Sequence, residues 1–196
     1  MLMARTSLPP ILTEPGDANR YLARRKPTLA RRWSLTRMSD LFDQVAFGVY
    51  LLALGREQDA DSIFALIAEV PFSENYNVWT PVGYAICLHA RLLRLSGDMP
   101  AWRATLERIG EHPVEAYSVA DLPAYLAALA TDLDEGYREK SLKWGCYRMA
   151  MALAVLCYYR ECALAGIEHD SPYDAEALES LILSGLSQLR ERLEEA

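Results

Sequence analysis

The feature that most restricts the fold of this chain is a segment that recurs after 42 residues. Residues 49–71 and 91–113 align without a gap, so that a glycine, a proline and several apolar residues match. A glycine between two apolar runs is typical of the turn between two helices, because glycine readily adopts the backbone conformation that ends a helix. The repeat therefore predicts two helix-turn-helix units, stacked as in a solenoid. The matched pairs are Leu51 with Leu93, Gly55 with Gly97, Phe64 with Leu106, Ile67 with Ile109, and Pro71 with Pro113.

Helical periodicity extends over most of the remaining chain. Apolar residues recur every three or four positions, a spacing that places them on one face of a helix, and no stretch alternates long enough to predict a sheet. We therefore predict an all-α fold of stacked antiparallel helical hairpins, a bundle or a short solenoid of about seven to eight helices. The predicted helices span residues 36–55, 59–70, 80–97, 100–110, 121–134 and 139–165, with a short one after Asp17 and a last one after Ser171.

Three local patterns refine this prediction. Thr80 and Ser171 each precede a proline, which predicts a helix start because Ser or Thr can cap a helix and proline fits its first position. The helix predicted at 139–165 is nearly free of charge in its middle, so we expect it to be the central core element. The last helix carries a leucine-rich stripe from Leu178 to Leu193, which can close the bundle or form a homodimer. The hairpins resemble tetratricopeptide-type and HEAT-type hairpins in general form, but the 34-residue spacing of the former is absent.

The net charge of −7 is divided unevenly along the chain. Residues 1–37 carry eight basic and two acidic side chains, whereas residues 38–196 carry 12 basic and 25 acidic ones. We predict a basic N-terminal arm (1–37) with a short helix, folded onto an acidic all-helical domain (38–196). An acidic body repels nucleic acid and attracts a basic protein partner, although acidity can equally serve solubility alone.

The cysteines and the apolar runs bear on the cellular compartment. The four cysteines have no CxxC spacing and lie in apolar helical segments, so we expect reduced, buried thiols. Prolines interrupt the N-terminal segment where a secretory signal would be apolar, and the 11-residue apolar run at 149–159 is too short to cross a bilayer. These features predict a cytoplasmic protein that does not associate with membranes.

No motif in the sequence indicates catalysis. Phosphate-binding glycine loops and nucleophile elbows are absent, and His89, His112 and His169 are too far apart to form a zinc motif. We expect His89 to be a core histidine with a polar partner. Two acidic clusters could transfer protons, but charges near helix ends are usually just solvated. We therefore predict no catalytic, cofactor-binding or metal-binding residues, and a protein that is not an enzyme.

The segment 158–178 resembles the closing helix-loop-helix of α-helical immunity proteins, which protect bacteria from interbacterial nuclease toxins. Paired aromatic residues, Glu161, the Gly166-Ile167 pair and a polar loop ending in Pro172-Tyr173-Asp174 carry the resemblance. It covers about a tenth of the chain, and the second proline-aromatic repetition of that loop is missing. The resemblance implies a protein that binds one cognate toxin, for which the acidic body would suit a basic partner.

The candidate contacts with such a partner are acidic side chains and aromatic anchors. The alternative for the tyrosines is that they pack the last two helices together. The alternative function is a helical-repeat scaffold or secretion chaperone that binds an extended segment of its partner. The candidate partner-binding residues are Tyr158, Tyr159, Glu161, Glu168, Asp170 and Tyr173, together with the acidic group Asp132, Asp134 and Glu135.

Overall fold

A computed structural model of the chain describes residues 38–72, 76–111 and 138–195. These residues form six α-helices, which confirms the all-α prediction, but the predicted count of seven to eight is not borne out. The basic arm and the helices predicted after Asp17 and at 121–134 lie outside the described residues. The six helices are α1 (Met38–Ala53), α2 (Glu57–Ala68), α3 (Tyr76–Leu95), α4 (Met99–Glu111), α5 (Arg138–Ala165) and α6 (Ala175–Glu195).

Two predicted helix starts are wrong. Helix α3 begins at Tyr76, one turn before Thr80, and runs through Pro81. A proline near the start of a helix removes only one backbone hydrogen bond, so it does not have to mark the first turn. Helix α6 begins after Asp174 instead of after Ser171, because the Asp174 carboxylate accepts the backbone N–H groups of residues 176 and 177 and so caps the helix.

The turns of the first two hairpins have the same geometry at an offset of 42 residues. Each turn contains a glycine with positive φ, 73° at Gly55 and 87° at Gly97, a conformation that other residues rarely adopt. Two backbone hydrogen bonds close each turn in the pattern of a Schellman motif. They join the N–H groups of Gly55 and Gly97 to the carbonyls of Leu52 and Arg94, and those of Arg56 and Asp98 to the carbonyls of Leu51 and Leu93.

Helix α5 is the central element of the bundle. It contacts α1, α3, α4 and α6, and every residue from 149 to 159 except Met151 is buried. The prediction of a central core helix at 139–165 is therefore confirmed. Because α5 packs against both hairpins, and α6 also contacts α1, the helices form a packed bundle, whereas in a solenoid each unit contacts only its neighbours.

The leucine-rich stripe of α6 faces the core. Leu178, Ile182 and Leu189 are fully buried, and Leu193 is nearly so. Between them, Gly185 faces Leu153 of α5 so closely that an added Cβ would lie 2.7 Å from the Leu153 Cδ2 atom. The stripe therefore closes the bundle, which is the first of its two predicted roles. Among the described residues, no helix is both long and apolar enough to cross a membrane.

Candidate functional site

Three of the candidate contact residues lie in the interior at the C-terminal end of α5. Tyr158, Tyr159 and Glu161 are each at most 2% exposed. The ring of Tyr158 packs edge-on against Tyr84 at 6.1 Å between centroids and against Tyr159 at 5.7 Å. Tyr159 in turn lies 5.8 Å from the ring of His169. In this conformation Tyr158 and Glu161 join α5 to other helices and Tyr159 packs against the loop that follows α5, so a direct contact with a partner would require α5 to be uncovered.

Two other candidates, Glu168 and Asp170, are exposed in the loop between α5 and α6, and Tyr173 is partly buried against the core. The chain contains no lysine or arginine between Arg160 and Arg190. The exposed carboxylates of this region therefore have no lysine or arginine as a neighbour in sequence. We call the group Glu168, Asp170, Asp174 and Glu176 the acidic corner.

Local hydrogen bonds fix the loop that carries the acidic corner. The Ile167 N–H donates to the carbonyl of Cys162 at 2.9 Å, next to Gly166 with a φ of 71°. The Ser171 N–H donates to His169 Nδ1 at 3.2 Å, and the Tyr173 N–H donates to Ser171 Oγ at 3.2 Å. With Asp174 capping α6, these bonds hold the acidic corner in one arrangement. The remaining candidates, Asp132, Asp134 and Glu135, lie outside the described residues.

Glu161 is the centre of a buried cluster of charged side chains. Its carboxylate accepts hydrogen bonds from Arg94 Nη2 at 2.9 Å, from Trp102 Nε1 at 2.7 Å and from Arg160 Nη1 at 3.3 Å. Burying a carboxylate is costly unless such partners replace its lost hydration. The cluster therefore links α5 to α3 and α4 through a charge that is fully removed from water.

A second carboxylate extends the cluster to α6. Glu179 accepts two hydrogen bonds from Arg91, at 2.5 and 2.7 Å, and lies 2.7 Å from Arg160 Nε. Partial burial would raise the pKa of Glu179, but the hydrogen bond and charge of Arg91, with the charge of Arg160, lower this pKa below 4.5. We call the six residues Arg91, Arg94, Trp102, Arg160, Glu161 and Glu179 the charge network.

The charge network was not predicted from the sequence. Glu161 was considered as a member of a proton-transfer cluster and as a partner contact, and the arginines of α3 were not considered. The 42-residue repeat contained a usable signal, because Arg91 and Arg94 stand where the first copy has apolar residues. Polar residues at positions of a predicted core face indicate buried partners. The matching residues of the first copy are Val49 for Arg91, Leu52 for Arg94 and Ala60 for Trp102.

His89 forms a separate polar contact between α2 and α3. Its Nδ1 lies 2.6 Å from Asp61 Oδ1, and both side chains are partly buried. The expectation that His89 has a polar partner is therefore confirmed. In the described ranges, no three His, Cys, Asp or Glu side chains are grouped closely enough to hold a metal ion.

The four cysteines are free and buried, as the sequence predicts. Burial raises the pKa of Cys87 and Cys146 above 9.0, and it raises the pKa of Cys157 to about 12. Because the thiolate is the reactive form of cysteine, the raised pKa makes Cys87, Cys146 and Cys157 poor nucleophiles in the folded protein.

Comparison with known proteins identifies a family for this chain. No curated protein and no solved structure matches the chain. One protein family does match, over residues 15–116, a range that contains helices α1 to α4 and thus both copies of the repeat. The matched range is just over half of the chain, and the family is described as a family of unknown function, DUF6707. The chain therefore belongs to the DUF6707 family.

Proposed function

We propose that this chain is a non-enzymatic, protein-binding protein, and most specifically an immunity protein that binds and neutralises a basic bacterial toxin such as a nuclease. The observation that carries the proposal is the acidic corner, four exposed carboxylates on the loop before α6 and in its first turn, with no lysine or arginine from residue 161 to residue 189. The resemblance of segment 158–178 to immunity proteins concerns this same loop. Tyr173 beside it offers a partly exposed aromatic surface of the kind that often anchors protein interfaces.

The physical role of the acidic corner in this proposal is to accelerate capture. Exposed charges of one sign steer an oppositely charged partner during diffusional encounter and raise the association rate constant. Because backbone turns and the Asp174 cap already hold the loop, binding would cost little conformational entropy. Both effects suit an inhibitor that must bind its toxin before the toxin acts.

The first experiment concerns the partner. The chain is co-expressed with the product of the gene adjacent to its own, and growth and complex formation are measured. We expect that product to be toxic alone, harmless with this chain, and bound to it in a one-to-one complex. A neighbouring product that is not toxic, or a toxic one that the chain neither binds nor neutralises, contradicts the immunity proposal.

The second experiment tests the acidic corner in that complex. The double variant Glu168→Lys/Asp170→Lys should lower the association rate constant about tenfold or more at low salt, and the difference should shrink as salt screens the charges. A matched control is Glu107→Lys/Glu191→Lys, which reverses the charge of two exposed residues on α4 and α6. Equal losses in both variants would point to net charge alone and contradict a role for the corner.

A second candidate function, a helical-repeat scaffold or secretion chaperone, draws support from the 42-residue repeat, since stacked hairpins often bind extended segments. Such a protein needs an open apolar groove. Here α5 packs against α1 of the first hairpin and against α3 and α4 of the second, so it occupies the side of both hairpins where such a groove could lie. This packing favours the first proposal over the second.

A further inference from the structure

The charge network contains more positive than negative charge. Three arginines surround two glutamates, and all five charged side chains are at least three-quarters buried, with exposures from 0% for Glu161 to 24% for Glu179. The chain as a whole has a net charge of −7, so this site has the opposite sign to the molecule around it. Charges removed from water are normally balanced by partners, and here one guanidinium has no carboxylate of its own in the network.

Two of the arginines meet at the same oxygen. Arg94 Nη2 donates to Glu161 Oε1 at 2.9 Å, and Arg160 Nη1 donates to this oxygen at 3.3 Å. Their guanidinium groups are therefore neighbours, although like charges repel. Burial lowers the pKa of Arg160, and the charges of Arg94 and Arg91 lower it further, against the opposing effect of Glu179 and Glu161.

Both guanidinium groups keep donors that the network does not use. Arg94 donates to Glu161 through Nε and Nη2. Arg160 donates from Nη1 to Glu161 and from Nε to the carbonyl oxygen of Ala175 at 3.3 Å, and this Nε also lies 2.7 Å from Glu179 Oε2. In the part of the chain that the structure describes, no acceptor bonds Arg94 Nη1 or Arg160 Nη2. Both side chains retain some exposure, 17% for Arg94 and 12% for Arg160, so a small ligand can reach them from solvent.

We propose that Arg94 and Arg160 form a binding site for a small oxyanion, a phosphate or a carboxylate, where α3, α5 and α6 meet. Planar guanidinium groups bind such oxygens through short, charge-assisted hydrogen bonds. One bound anion would use the free donors, screen the two cations from each other and balance the surplus charge. The two arginines are not part of the acidic corner, and this proposal does not depend on the proposed function.

The test uses the full-length wild-type chain at pH 7 with two probes, inorganic phosphate and acetate. Binding is measured by calorimetric titration at an ionic strength held constant with sodium chloride. We expect saturable binding of one anion per chain, and the stronger probe identifies the chemical source of the ligand. Arg160→Gln should weaken binding about tenfold, because it removes a charge-assisted hydrogen bond. Arg103→Gln, at an exposed arginine of α4, should leave the affinity unchanged.

A second measurement keeps the test valid if Arg160→Gln alters stability. Thermal unfolding of each variant is compared in phosphate and in chloride, so that every variant serves as its own reference. The wild type and Arg103→Gln should gain melting temperature in phosphate, and Arg160→Gln should lose this gain. The proposal is overturned if neither probe saturates, or if Arg160→Gln and Arg103→Gln respond alike, which would indicate an adventitious ion only.

Discussion

At the scale of the residue, Gly48 decides how closely two helices approach. It lies in α1 opposite the fully buried ring of Phe64 in α2, and an added Cβ would lie 2.6 Å from the Phe64 Cζ atom. We expect Gly48→Ala to lower the free energy of unfolding by about 1–3 kcal/mol, because the ring has no room to move. Gly110→Ala is the control, since that position is helical and open; there alanine should stabilise the protein by about 0.5–1 kcal/mol. Urea unfolding measures both, and the same sign in both variants would contradict this account.

Individual residues also show which contacts could not be predicted from the sequence. Tyr158 and Tyr159 were predicted either as partner contacts or as packing between the last helices, and they are buried in the core. Tyr158 packs against Tyr84, which lies more than 70 residues away in sequence, and this contact decides between the two predicted roles. Glu161 is similar, because its partner Arg94 is 67 residues distant. Apolar spacing within one helix cannot reveal such contacts.

At the scale of the element, an arginine of the second hairpin supplies hydrogen-bond donors to the end of a helix in the first hairpin. Arg108 of α4 donates to the carbonyls of Ala68 and Val70 at the end of α2, and its guanidinium lies 5.0 Å from the centroid of the Phe72 ring. A cation there is favourable, because the last carbonyls of a helix lack partners and carry partial negative charge. Arg108→Ala should lower the free energy of unfolding by about 1–3 kcal/mol and speed hydrogen exchange at the end of α2.

The control for this substitution is Arg103→Ala, on the same helix but exposed, which should change stability by no more than about 0.5 kcal/mol. Arg108→Lys keeps the charge without the two-pronged geometry, so its stability should fall between the wild type and Arg108→Ala. If Arg108→Lys matched the wild type, charge alone would explain the effect and the paired hydrogen bonds would not.

The helices themselves were largely predictable, because periodicity and turn glycines act over a few residues. The Gly55 and Gly97 turns show this, since each glycine ends a helix by its own backbone conformation. Contacts between helices were not predictable in the same way. Arg190 of α6 donates to the carbonyl of Ala53 at the end of α1 across 137 residues, and no local pattern marks that pairing.

At the scale of the whole molecule, the bundle keeps several weak acids in their neutral form. Burial raises the pKa of Cys157 to about 12, and burial with the nearby charge of Asp170 raises the pKa of Tyr159 to about 12. In the unfolded chain these groups ionise near 9.0 and 10.0. The folded state therefore binds their protons more tightly than the unfolded state does. Their contribution to stability is complete below the unfolded pKa values and is lost as the pH rises towards 12.

This difference predicts a steep loss of stability in alkali. Each group should lower the free energy of unfolding by about 1.4 kcal/mol per pH unit between its unfolded and folded pKa values, so the slope should increase above pH 10, where Tyr159 joins Cys157. Urea unfolding at pH 7, 9, 10 and 11 measures the profile. Tyr159→Phe removes the tyrosine proton and leaves those of the buried cysteines. It should reduce the slope above pH 10 by about 1.4 kcal/mol per pH unit, while leaving the slope between pH 9 and 10 unchanged. If the profile of this variant ran parallel to that of the wild type up to pH 11, Tyr159 would ionise in the folded protein as easily as in the unfolded chain. Burial would then not hold its proton.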